Sequence, residues 1–209
     1  MGLLFPRKCI LCGRLLERQE RDLCCDCRRE AEPWQDRKSR YQFLDSILAV
    51  WYYEENVRRC ICRYKFYGAR HLSAGLGRCL AMRLSQEGPE EADLLTWVPV
   101  SPLRRLLRGY DQTELLALCV GRELGIRPVA TLRKIRHNRK QSTIFDAAQR
   151  RANVLGAYRV RDPKQVAGKR IILIDDVLTT GATAGECARM LLTAGAKEVH
   201  CAVIAAVRK

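Results

Sequence analysis

The chain predicts an α/β fold: a doubly wound, mostly parallel sheet with a small cysteine-bearing appendage at its N-terminus. Three observations lead there. From residue 57 onward, single aliphatic strands alternate with helical patterns, the order expected of a parallel sheet covered on both faces. The run Ile171-Ile172-Leu173-Ile174 has the unbroken β-favouring character of a buried parallel strand, and it leads into Asp175-Asp176 and a turn rich in hydroxyls and glycine. Ahead of these, Cys9-Ile10-Leu11-Cys12 and Cys24-Cys25-Asp26-Cys27 place two C-x2-C pairs either side of eleven residues.

The cysteine pairs come first in chain order. Four thiolates in two such pairs close tetrahedrally on Zn²⁺ and leave no open coordination position, which marks a structural site. The expected ligands are Cys9, Cys12, Cys24 and Cys27, although spacing alone lets Cys24 and Cys25 trade places. Gly13 follows the first pair, where a knuckle turn needs a small residue. So short a segment has few apolar residues, and metal binding would supply its folding energy. Residues 1–36 are therefore expected to form the ribbon and residues 37–209 the α/β domain. The remaining cysteines (Cys60, Cys62, Cys79, Cys119, Cys187 and Cys201) fall in apolar patterns and read mostly as small core residues.

A charged linker containing Pro33 runs from Glu30 to Arg40. Phe43 to Tyr53 reads as a strand, with a possible break at Leu44-Asp45-Ser46. Val57 to Tyr67 is an amphipathic helix stopped at Gly68, and a second helix from Leu72 stops at Gly88-Pro89. Leu94 to Val100 is a buried strand broken by Pro99. A basic loop, Ser101 to Gln112, leads into a helix that ends at Gly125. Pro128 to Arg136 suggests another strand, followed by a long polar stretch to Arg151. Ala157–Val160 and Ile171–Ile174 read as the last strand pair, a helix from about Ala184 stops at Gly195, and Val199 to Ala206 closes the sheet.

The apolar fraction of 47% supports a sizeable core. No apolar run has the length of a membrane span, and the N-terminal apolar stretch is too short for a signal peptide. A soluble cytoplasmic protein is the expectation. The net charge of +15, from 38 basic and 23 acidic residues, favours polyanionic partners: nucleic acid, or small ligands rich in phosphate.

The site chemistry centres on Asp175 to Thr183. Ligands of open α/β sheets bind at the carboxyl ends of strands, where loops enter helices. Here Thr179, Thr180, Gly181, Ala182 and Thr183 offer backbone N–H groups, three hydroxyls and a helix dipole to a phosphate. Asp175 and Asp176 sit beside them, which suits a ligand with a phosphate at one end and vicinal hydroxyls or a metal at the other. A second loop, with Arg104, Arg105, Arg108 and Gly109, is a plausible pyrophosphate clamp, since arginine forks oxyanions bidentately. A third, the cationic stretch Arg133 to Gln141 with Arg139 and Lys140, has the character of a loop that closes over a charged ligand, and equally of a nucleic-acid contact.

The Asp175–Thr183 run resembles the phosphoribosyl pyrophosphate loop of type I phosphoribosyltransferases. The resemblance implies that Asp175 and Asp176 serve the ribose hydroxyls, directly or through waters on Mg²⁺, that Thr179 to Thr183 cradle the phosphate, and that Val177 and Leu178 belong to the same phosphoribosyl pyrophosphate-binding run. Nearly end to end, the chain is similar to the ComF-type proteins, which join a zinc ribbon to such a domain. That similarity rests on the four cysteines, Tyr64-Lys65-Phe66-Tyr67-Gly68, Arg108-Gly109-Tyr110-Asp111-Gln112, Gln141, Arg150, Asn153 and the Asp175–Thr183 loop. The family's Arg-Gly-Phe-Asn-Gln is here Arg-Gly-Tyr-Asp-Gln, and its histidine after Pro-Leu is absent. The resemblance implies a role in natural transformation, with single-stranded DNA or RNA, and a helicase or other DNA-uptake protein, as partners. It leaves three readings open: a phosphoribosyltransferase on an unknown acceptor, a phosphoribosyl pyrophosphate-sensing or adaptor protein, and a base-salvage transferase. The last leaves the ribbon and the excess charge without a purpose.

Overall fold

The computed structural model describes residues 6–35, 41–136 and 154–208. In chain order these form α1 (Cys25–Glu30), β1 (Ser46–Tyr52), α2 (Glu55–Phe66), α3 (Leu72–Glu87), β2 (Leu94–Trp97), α4 (Pro102–Arg108), α5 (Gln112–Leu124), β3 (Leu132–Lys134) and β4 (Tyr158–Val160). After a 3₁₀ turn at Pro163–Gln165 come β5 (Arg170–Leu178), α6 (Ala182–Thr193) and β6 (Glu198–Ala206). Strands β1, β6, β5 and β2, in that order, make an all-parallel sheet. β3 and β4 form a separate antiparallel ladder.

Alternation along the central strands divides the interior into two cores. Ile172 and Ile174 of β5 join Leu48, Val50 and Ile204 in a core covered by α2, α3 and α5. Ile171 and Leu173 face the other way and meet Ile47, Ala49 and Val203 under α6 and the β3–β4 ladder. Both faces are thus buried, which explains why these strands are apolar almost throughout. The sheet is doubly covered and parallel, as the alternating pattern predicted.

The ribbon packs into the first core. Ile10 and Leu11 are buried with Ile61, Leu72 and Leu76. Gly75 on α3 makes room for it: a Cβ there would stand 2.6 Å from Ile10 Cγ2. Asp22 accepts from Arg78 Nε of α3 at 3.0 Å, and Arg63 of α2 reaches the carbonyls of Ile10 and Leu11.

Four sequence expectations need correction. β5 does not stop at Ile174 but continues to Leu178, because β6 pairs with it as far as Leu178↔Ala206 and offsets the poor strand propensity of the two aspartates. The basic stretch after β2 is not a loop throughout. Ser101 Oγ accepts from Arg104 N at 3.4 Å, Pro102 opens α4, and Gly109 closes it at φ 76°. The expected strand over Pro128–Arg136 shrinks to β3, and its partner is β4, so Tyr158–Val160 does not pair with Ile171–Ile174. Leu132, Tyr158 and Val160 are buried while Arg133 and Arg159 are exposed, so the ladder covers a sheet face rather than extending it. Finally, Phe43 lies outside the first strand, at φ 66°. Among the described residues, no helix is long and apolar enough to cross a membrane.

Candidate functional site

A cleft of about 420 Å³ opens at the carboxyl ends of β2 and β5. Its floor is Val98–Val100 and the end of β5, and α2, α4, α5, the β3–β4 ladder and the start of α6 supply its walls. This is where an open parallel sheet offers strand ends and helix N-termini together.

Asp175 and Asp176 are both in the cleft, but consecutive strand residues face opposite ways. Asp176 turns toward α2 and α5 and is only 6% exposed. Lys65 Nζ lies 2.6 Å from its Oδ1, and Gln112 Nε2 donates to its Oδ2 at 3.0 Å. Asp175 Oδ1 accepts from the Asp176 backbone N–H at 2.8 Å. Burial first, and the Asp176 charge second, push the Asp175 carboxyl up to about 8.

The turn after β5 is built on Gly181, which caps α6 at φ 78°. A Cβ at Gly181 would run into the Tyr41 ring. Thr179, Gly181, Ala182 and Thr183 line the cleft, whereas Thr180 Oγ1 turns back to accept from the Ala182 N–H at 3.4 Å. Val177 and Leu178 continue the strand and pack against the two cores.

The opposing wall is cationic. Arg104, Arg108 and Lys134 line it. Arg108 Nη1 donates to Gln112 Oε1 at 2.7 Å, and its guanidinium lies 5.0 Å from the centre of the Phe66 ring. Partial burial is the leading cause that lowers the Arg108 and Lys134 pKa values. Lys134 Nζ donates to Tyr158 Oη at 3.1 Å. Arg105 points elsewhere and pairs with Glu114 at 3.3 Å, and Gly109 serves α4 as its terminating residue. Arg139 and Lys140 lie outside the described residues, as do Gln141, Arg150 and Asn153.

Asp111 is not among the residues lining the cleft. It caps α5 through Thr113 N and Glu114 N and accepts from Val100 N at 3.0 Å, fixing the cleft floor to the helix start. Sequence reasoning named Lys65 and Gln112 only as motif residues and Lys134 only within the cationic stretch, and gave none of the three an individual role at the site. A signal for Lys65 existed. The buried stripe of α2 runs Val57, Cys60, Ile61, Tyr64, so Lys65 falls on its flank, where a half-buried cation needs a counter-charge.

At the other end, the sulfurs of Cys9, Cys12, Cys24 and Cys27 all lie within 4.8 Å of one another. Cys12 and Cys24 Sγ are 3.7 Å apart. Ligands about 2.3 Å from a tetrahedral ion stand about 3.8 Å apart, so the cluster fits zinc. Cys25 lies outside it, exposed beside Arg14 Nη2 at 3.4 Å. Burial foremost pushes the Cys12 and Cys27 thiols up, while Cys9, against its own burial, is drawn down to about 7 by backbone N–H groups of Cys12, Cys24 and Leu11. Crowded thiols of this kind ionise together only around a cation.

Family comparison agrees with both halves. The phosphoribosyl transferase domain matches residues 118–209 and the double zinc ribbon domain residues 1–38. Fold and matches together point to a phosphoribosyltransferase-like domain behind a ribbon whose four-cysteine cluster suggests structural zinc. The competence protein ComFC of Bacillus subtilis strain 168 is 29% identical over 90% of this chain and 72% of its own length. The DNA utilization protein YhgH of Salmonella typhimurium is 28% identical over 85% of this chain and 74% of its own, and competence protein F of Haemophilus influenzae is 28% identical over 85% and 75%. The chain is similar in both its ribbon and its α/β domain to the ComF-type competence and DNA utilization proteins.

Proposed function

We propose that the cleft binds phosphoribosyl pyrophosphate with Mg²⁺, and that the protein works on single-stranded nucleic acid in DNA uptake or utilization in the cytoplasm. The observation that carries the first part is one pocket holding two strand-end aspartates, a glycine turn at a helix start and three cations opposite. In this reading the N-terminus of α6 and Thr179, Gly181 and Thr183 take the 5′-phosphate. Asp175 and Asp176 take the ribose hydroxyls or waters on the metal. Arg104, Arg108 and Lys134 hold the pyrophosphate, and Arg139 and Lys140 remain candidates to join them. Lys65 and Gln112 hold Asp176 in place before any ligand arrives. Bound Mg²⁺ would offset the pyrophosphate charge and make it a better leaving group. Residues 1–36 act as a metal-held brace for the domain formed by residues 37–209, and the names of the relatives support the link to DNA. Titration calorimetry with phosphoribosyl pyrophosphate and Mg²⁺ tests the reading: the wild type binds and the Asp175→Asn/Asp176→Asn protein does not. No heat from the wild type removes it.

One observation favours binding without transfer. Away from the two aspartates, the side of the cleft nearest α2 presents Tyr53, Lys65 and Phe66, with no carboxylate or histidine among the described lining residues to deprotonate a nucleophile. A sensor of phosphoribosyl pyrophosphate would look like this. Following labelled phosphoribosyl pyrophosphate with and without single-stranded DNA separates the two, since only a transferase releases pyrophosphate.

A further inference from the structure

The last turn of α2 touches the ribbon and the cleft at once. Arg63 Nη2 donates to the carbonyls of Ile10 at 2.7 Å and Leu11 at 2.6 Å, the two residues between Cys9 and Cys12. Its Nε is buried without a hydrogen-bond partner, a cost accepted where the guanidinium is drawn under the metal knuckle. The next residue, Tyr64, donates from its hydroxyl to Gln112 O at 2.6 Å and accepts from Tyr110 at its own carbonyl. The one after, Lys65, holds Asp176 at 2.6 Å, while the Gln112 side chain takes the other oxygen. Three consecutive residues therefore run from the metal cluster to the acid.

We propose that this turn couples the metal state of the ribbon to ligand affinity in the cleft, with Arg63 and Lys65 as positioning residues. The proposal rests on reading the cleft as a phosphoribosyl pyrophosphate site. A metal-loaded knuckle fixes the carbonyls of Ile10 and Leu11, and these fix Arg63. The helix turn is then held in the one register that sets Lys65 against Asp176. Without metal the knuckle loses its geometry, and the ligand must bear the cost of ordering the turn and the acid. Linkage makes the effect reciprocal: whatever factor zinc adds to ligand affinity, the ligand adds to zinc affinity.

The test measures zinc affinity of the full-length protein by competition with a zinc-selective chromophoric chelator, and ligand affinity by calorimetry with Mg²⁺ present. Saturating phosphoribosyl pyrophosphate raises wild-type zinc affinity by about fivefold or more, the lower end of ordinary coupling. Arg63→Met, far from the ligand, removes that gain and weakens ligand binding by the same factor. Lys65→Met does likewise, and Lys65→Arg, which still pairs with Asp176, restores it. With no ligand present, Lys65→Met and Asp176→Asn both weaken zinc binding, while Arg59→Ala on the exposed side of α2 leaves it unchanged. Equal zinc affinities in wild type, Lys65→Met and Asp176→Asn overturn the coupling, and so does a loss in Arg59→Ala as large as in Lys65→Met. Absence of ligand binding by the zinc-loaded wild type removes the reading of the cleft instead, and the ligand-free zinc affinities still decide the coupling.

Discussion

Asp175 and Asp176 are adjacent in the chain, yet β5 turns them to opposite faces and gives them different surroundings. Asp176 has a lysine and an amide on its two oxygens. Asp175 has a backbone N–H and a neighbouring negative charge, and its carboxyl is pushed up to about 8 by burial and by that charge. A carboxyl with a folded pKa above its unfolded value of about 3.9 binds its proton more tightly in the folded state. Its contribution to stability is therefore complete below pH 4 and is lost as pH climbs toward 8. Asp175→Asn removes that loss. The ligand-free variant should melt higher than wild type at pH 8 by at least about 3 °C, the shift that about 1 kcal/mol gives in a chain of this length. The gap should close near pH 4. Melting curves with the same pH slope in both proteins would show that Asp175 is ionised at no cost. Addition of ligand with Mg²⁺ should narrow the gap, because the carboxylate then gains a partner.

The turn from β5 into α6 depends on Gly181, since its φ of 78° is strained for any residue with a Cβ and the Tyr41 ring occupies the space such an atom needs. Gly181→Ala should weaken phosphoribosyl pyrophosphate binding about tenfold or more by calorimetry and leave zinc content unchanged. Unaltered affinity would mean that the phosphate is held elsewhere. This turn was legible in the sequence, because Asp, Thr and Gly after an aliphatic run have few other uses. So were the four cysteines that cluster in the ribbon and the alternation of strands and helices. The length of β5 was not, since local propensity ends at Ile174 and the pairing that extends it comes from β6, whose partner residues lie near the end of the chain. Helix α4 was hidden behind its arginines, although Ser101-Pro102 and Gly109 carried ordinary start and stop signals. The β3–β4 ladder joins Leu132 to Val160, and no short-range pattern encodes a pairing at that separation. For the same reason sequence reasoning assigned Lys65, Gln112 and Lys134 no individual place in the site, although each fell within a motif or stretch it singled out. Each is ordinary in its own helix or strand, and becomes part of the site only when helix ends meet strand ends.

Ribbon and sheet share one apolar core, with Ile10 and Leu11 packed among residues of α2 and α3. Zinc removal should therefore lower the melting temperature of the whole protein in a single transition; two separated transitions would show that the ribbon folds apart. The surface this assembly presents is equally telling. Phe66, which lines the cleft, and its neighbour Tyr67 are 64% and 79% exposed, with Arg108 over the Phe66 ring. Leu106 and Leu107 of α4 are exposed as well, and the net charge is +15. On the proposed single-strand reading, these solvent-facing aromatics would stack on bases whose phosphates the neighbouring arginines contact. Single-strand affinity should then fall steeply with salt, with a log–log slope of about −0.7 for each phosphate neutralised. Arg104→Ala should make the slope shallower by about one such step. Phe66→Ala and Tyr67→Ala should act differently, lowering affinity by about 1–3 kcal/mol per lost stack at every salt concentration while the slope stays the same. A flat salt response removes nucleic acid as the partner of this surface. A steep slope with no effect of the aromatic substitutions moves the strand to another basic face.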